Sequence, residues 1–161
     1  MERIWVIALA VGLVAAFSIR AGTLDEPHTL DYDTEAMLKV AKQIVELGHI
    51  PEQEPLRYAG YFEEGWNNME VLPLTPYVIA FLSFGQENLV KPAAMWYPVI
   101  FGLLSIIIVA YIGKELFGYP GLTAGILLGV LPGFIFRTSG GSCDKEALGM
   151  FLMVLGVYYK C

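Results

Sequence analysis

The chain has 161 residues, of which 56% are hydrophobic, and a mean hydropathy of +0.57. That is too apolar for an ordinary soluble domain, and it marks an integral membrane protein of one domain or part of one. The formal charge is −6, an acidic balance that excludes nucleic acid, whose phosphates need a basic surface.

The first apolar run, residues 4–19, lies between Arg3 and Arg20 and predicts a spanning helix over 4–20. A cleaved signal peptide is the competing reading. Glu2 cancels the charge of Arg3, and no clean small-x-small cleavage site follows before Arg20, so the run is read as an uncleaved anchor. Residues 21–92 then form a large loop. Between residues 21 and 71 of it fall Asp25, Glu26, Asp31, Asp33, Glu35, Glu46, Glu52, Glu54, Glu63, Glu64 and Glu70, answered by Lys39, Lys42 and Arg57. Such a segment suits solvent and collects divalent cations. Within it Met37, Val40, Ala41, Ile44 and Val45 recur at helical spacing, predicting a helix over 34–47 that Gly48 and Pro51 stop. Asp33 stands at its start, in the place of an N-cap. The apolar run 77–84 is too short to cross a bilayer, which takes about 20 residues, and predicts a short helix at the membrane surface.

Residues 93–113 are a full span, ended by Lys114-Glu115 and the turn Gly118-Tyr119-Pro120-Gly121. A further span is expected over 120–136 and a last helix over 146–160. The fold class is therefore an all-α membrane protein, a multi-span helical bundle with a large external first loop over 21–92. With the N-terminus in the cytoplasm and 77–84 not crossing, the acidic loop and the polar stretch after residue 136 lie on one extracytoplasmic face. Charged residues near the span ends are too evenly shared to orient the chain by themselves.

That polar stretch is Arg137-Thr138-Ser139-Gly140-Gly141-Ser142-Cys143-Asp144-Lys145-Glu146, an island between two apolar runs. An arginine, a glycine–serine turn and an Asp-x-Glu pair in one place suggest a site for a metal or a phosphate. The plainer reading of Asp144 is a cap on the last helix. At a helix N-terminus both Asp33 and Asp144 are favoured as carboxylates, the form a metal ligand needs. His28 and His49 have no metal-ligand spacing, so zinc is not expected.

The island RTSGGSCDKEALGMFLMVLGVYYK resembles the second acidic motif of the catalytic subunit of oligosaccharyltransferases, membrane glycosyltransferases of the GT-C class. That motif is an arginine, a short Gly/Ser turn, an Asp-x-Asp or Asp-x-Glu, and a small-apolar helix. Arg137, Gly141-Ser142, Asp144 and Glu146 match it. The family's first motif, an aspartate after the first span that opens a helix ending at a glycine, matches Asp33, with Asp31 as a rival. Leu131-Pro132-Gly133 fits the run before the second motif. The family's later spans, third acidic residue and C-terminal sequon-reading domain have no counterpart here. The expectation is therefore an N-terminal fragment, of archaeal type and inactive alone.

The resemblance implies transfer of a glycan from a lipid-linked (pyro)phosphate donor to the asparagine of an Asn-x-Ser/Thr acceptor protein. It implies a divalent cation, Mn²⁺ or Mg²⁺, held by Asp33, Asp144 and Glu146. It gives Asp33 a second role in orienting the acceptor amide, and Arg137 a role in bracing the acidic cluster or contacting phosphate. Two alternatives stay open: another GT-C-type enzyme using a lipid-phosphate sugar, and a non-catalytic membrane subunit.

Overall fold

The computed structural model describes residues 2–24, 32–50, 53–54, 66–67, 74–143 and 145–160, the side chains of 32, 33, 53, 54, 66 and 67 excepted. These residues are overwhelmingly helical: α1 (Glu2–Ala21), α2 (Tyr32–Leu47), α3 (Leu74–Leu82), α4 (Glu87–Phe117), α5 (Thr123–Val130), α6 (Pro132–Thr138) and α7 (Lys145–Tyr158), with a 3-10 turn at Tyr119–Leu122. A two-residue antiparallel pair joins β1 (Gln53–Glu54) to β2 (Trp66–Asn67), with Gln53 opposite Asn67. The expected all-α membrane helical bundle is what the chain forms. α1 and α4 are each long and apolar enough to cross a membrane, and the bent pair Tyr119–Val130 and Pro132–Thr138 adds a third if taken as one span. α7 has 14 residues, a length of about 21 Å at 1.5 Å per residue.

The residues divide into two compact units, 1–34 with 95–161, and 35–94. In the second unit α2 turns its apolar stripe inward. Val40 and Ile44 pack with Ile50 and Ala80, and Val45 lies alongside. Gly48 stops the helix as expected: its φ of 78° is left-handed, and its N–H returns to the Ile44 carbonyl at 2.9 Å. α3 buries Thr75, Pro76, Ile79 and Ala80. Its opposite side, with Leu74, Tyr77 and Phe81, is exposed.

The first unit is built around Ala16, Ile106 and Phe134, with Leu13, Leu103, Leu128 and Met150 packed against them. Small residues set how closely its helices approach. A Cβ on Gly113 would collide with the Gly121 carbonyl, and one on Gly121 with the Gly113 carbonyl. One on Gly125 would lie 2.6 Å from both the Ala110 Cβ and the Ile106 carbonyl. Backbone therefore meets backbone where α5 folds back along α4, the arrangement small residues allow in membrane helices.

Three sequence expectations are corrected. α2 begins at Tyr32, so Asp33 stands in its first turn rather than at the cap. α4 starts at Glu87 rather than 93, because the turn at Phe84 (φ 52°) and Gly85 (φ 70°) launches it and Pro92 is absorbed near its start. The expected span over 120–136 is not one helix. Pro132 has no N–H to give and holds Leu131 extended (ψ 120°), so the chain bends by 65° there.

Candidate functional site

The polar island sits where several helix ends of the first unit meet. Its turn closes with the Ser142 N–H on the Ser139 carbonyl at 3.2 Å, and Gly141 takes the left-handed φ of 85° that glycine allows without strain. Gly140 must be small, because a Cβ there would lie 2.6 Å from the Leu24 side chain and 3.1 Å from the Arg20 carbonyl. Its N–H donates to the Arg20 carbonyl at 3.0 Å, and the Thr23 hydroxyl donates to the Gly140 carbonyl at 2.8 Å. The Gly141 N–H donates to the Met95 carbonyl at 3.2 Å. The Cys143 N–H donates to the buried Thr34 hydroxyl oxygen at 3.1 Å. The turn is thus tied to the end of α1, to α4 and to the start of α2.

The predicted site residues are distributed over this arrangement. Arg137 lies in the last turn of α6 and Glu146 in the first turn of α7. Each suits the helix terminus on which it stands. Arg137 Nη1 donates to Glu146 Oε2 at 2.7 Å, and the guanidinium lies 5.5 Å from the centroid of the Phe136 ring. Asp33 precedes Thr34 in the first turn of α2, with its side chain outside the described residues. Asp144 falls between Cys143 and Lys145, and it and Asp31 are likewise outside them. The expectation that the Asp33 carboxylate comes within bridging reach of Asp144 or Glu146 therefore lies outside the described residues. Among the described side chains no three of His, Cys, Asp or Glu gather as a metal set. What is brought together is the Cys143 backbone N–H, beside Asp144, and the Thr34 hydroxyl, beside Asp33.

Below the ion pair is a groove of about 460 Å³, lined by Arg137, Lys145 and Glu146 and by Gly149, Met150 and Met153 along α7. Its exposed surface is almost entirely apolar, with the charged residues at its margin. One residue of this region was not singled out by the sequence reading. Arg20, read only as the flank of the first span, is fully buried. Its Nε donates to the Thr138 hydroxyl oxygen at 2.8 Å, and its Nη1 donates to the carbonyls of Ala16 and Gly129, each at 3.0 Å. The available signal was Pro132, which announces a helix break and hence a carbonyl needing a donor.

Comparison with known proteins now decides the family. The model of the N-terminal region of oligosaccharyl transferase STT3 matches residues 39–159, most of the chain and all of the island. The chain belongs to the STT3 family. The family resemblance read from the island is borne out, and with it a membrane protein of a glycosyltransferase family; Asp33 lies outside the matched residues. A curated STT3 relative, dolichyl-diphosphooligosaccharide–protein glycosyltransferase subunit STT3B of Arabidopsis thaliana, is 43% identical over 53 residues. The match covers 32% of this chain and 7% of that protein, so the chain spans a small part of the length of its curated relative. No solved structure matches the chain.

Proposed function

We propose that this STT3 chain is the N-terminal portion of a catalytic subunit that moves a glycan from a lipid-linked (pyro)phosphate to the side-chain amide of an acceptor asparagine, on the extracytoplasmic face of the membrane. The observation that carries the reading is the hydrogen bond from Cys143 to Thr34. It joins the neighbours of Asp33 and Asp144, Thr34 and Cys143, which lie 109 positions apart in a chain whose two acidic motifs have no other local reason to meet. The apolar groove along α7 supports it, because a lipid-linked donor needs an apolar wall for its chain, and Arg137 and Lys145 stand at its margin.

The donor set fits a hard divalent cation such as Mn²⁺ or Mg²⁺. Asp33, Asp144 and Glu146 offer only carboxylate oxygen, and the Thr34–Cys143 link draws their backbones to one end of the unit. When bound, such a cation supplies counter-charge for the phosphate that leaves as the sugar–phosphate bond breaks. The chain's own groups do the rest. Asp33 orients the acceptor amide and takes part of its N–H charge. Arg137 holds Glu146 in place and offers positive charge to the phosphate. The apolar wall of α7 seats the lipid chain.

The test is to graft residues 1–161 in place of the corresponding segment of an active STT3 protein and supply lipid-linked oligosaccharide. Transfer to an Asn-x-Thr peptide, reduced at least about tenfold by Asp33→Asn and by Asp144→Asn, is expected. Transfer instead to a serine hydroxyl or a lipid would favour the other GT-C reading. Transfer that ignores both substitutions would favour a non-catalytic role.

A further inference from the structure

A guanidinium buried in a membrane bundle is costly unless its N–H groups are used. Arg20 is 0% exposed, and its hydrogen bonds have a particular distribution. One goes to its own helix, at Ala16. The other two fall on opposite sides of the 65° break: Gly129 in α5 and Thr138 in α6. In an unbroken helix the Gly129 carbonyl takes the N–H of Gly133. The bend opens that bond, and Arg20 Nη1 stands at 3.0 Å from the carbonyl instead. Thr138 gives its own hydroxyl hydrogen to the Phe134 carbonyl at 2.6 Å, which leaves its oxygen to accept from Arg20 Nε at 2.8 Å. The guanidinium lies 5.1 Å from the centroid of the Phe134 ring, in the first half of α6. The backbone carbonyl of Arg20 accepts the N–H of Gly140 in the island turn at 3.0 Å. Nη2 has no hydrogen-bond partner among the described residues, so the side chain is spent on the break rather than on full satisfaction of its charge.

We infer that Arg20 is a positioning residue for the polar island. It clasps α5 and α6 across the break at Leu131 and, through Thr138 and Gly140, sets where Arg137 and the turn after it stand. Arginine suits this because its planar fork reaches acceptors from separate nitrogens in fixed directions, whereas the three donors of a lysine ammonium all radiate from one atom. The inference concerns the frame of the site and does not depend on the chemistry proposed above.

Pulsed EPR on the whole chain in lipid nanodiscs tests it. Spin labels go at Leu127 and Phe136, which are 67% and 70% exposed on the two arms, with Cys143 and Cys161 replaced by alanine. α6 has seven residues, about 10 Å at 1.5 Å per residue, so relaxing the bend moves its far end by several ångströms. The expected result is a narrow distance distribution for the native Arg20, shifted or broadened in Arg20→Met and partly restored in Arg20→Lys. An arginine that merely adds stability would lower the melting temperature and leave the folded-state distance alone. An unchanged distribution in Arg20→Met overturns the inference. If that variant does not fold, Thr138→Val decides: a shift supports the clasp, and the native distance overturns it.

Discussion

Arg137 and Glu146 form the described ion pair of the island, yet their side chains are 47% and 35% exposed. Pairs so exposed contribute about 0–1 kcal/mol. The phosphate-binding role proposed for Arg137 and its contribution to stability separate in one variant. Arg137→Met should lower thermal stability by less than about 1 kcal/mol. The same change should weaken binding of a short-chain polyprenyl pyrophosphate at least about tenfold, as the loss of a charge-assisted hydrogen bond of about 1.5–3 kcal/mol implies. Thermal melts and titration calorimetry in nanodiscs read the two quantities. Arg137 and Glu146 were legible in the sequence because their spacing is local, nine positions apart. Arg20 was not, because its partners Gly129 and Thr138 lie 109 and 118 positions away. From the sequence an arginine ending an apolar run looks the same whether it faces headgroups or a broken helix.

The turn and the two helices that it joins, α4 and α5, are governed by glycines rather than by bulk. Gly121, Gly125 and Gly129 recur four apart, and Gly121 and Gly125 meet backbone or Cβ atoms of α4 at distances that leave no room for a side chain. Because the atoms in the way are largely backbone, they cannot swing aside. Gly125→Leu is therefore expected to cost at least about 1–3 kcal/mol, the usual range for overpacking, and to lower the thermal midpoint in nanodiscs. The exposed Leu127→Ala should leave it nearly unchanged. The spacing was present in the sequence, but 120–136 was read by its mean apolarity, which predicts insertion and says nothing of how closely helices pack. The same shortcut hid the break at Pro132, because apolarity does not count backbone donors. α2 was legible by contrast: an apolar stripe at 37, 40, 41, 44 and 45 and a glycine stop are local rules. Its first turn reached two residues earlier than read, which moved Asp33 into the helix.

At the scale of the molecule, the family was readable because its second motif is contiguous. The meeting of the two motifs was only inferred, by counting spans. The hydrogen bond from Cys143 to Thr34 now joins the start of α2 to the island directly. The turn is also tied to α1 through Arg20 and to α4 through Met95. Such a frame fixes the island turn and the start of α2 to each other before any ligand arrives. The central claim is that Asp33 and Asp144 serve one cation. Mn²⁺ titration of the whole chain in nanodiscs, followed by EPR, tests it directly, comparing the native chain with Asp33→Asn and with Asp144→Asn. A single class of bound Mn²⁺ whose affinity falls about tenfold or more with either substitution is predicted, since both remove a carboxylate oxygen from the same ion. An ion that depends on Asp144 but binds equally well without the Asp33 carboxylate would contradict the account.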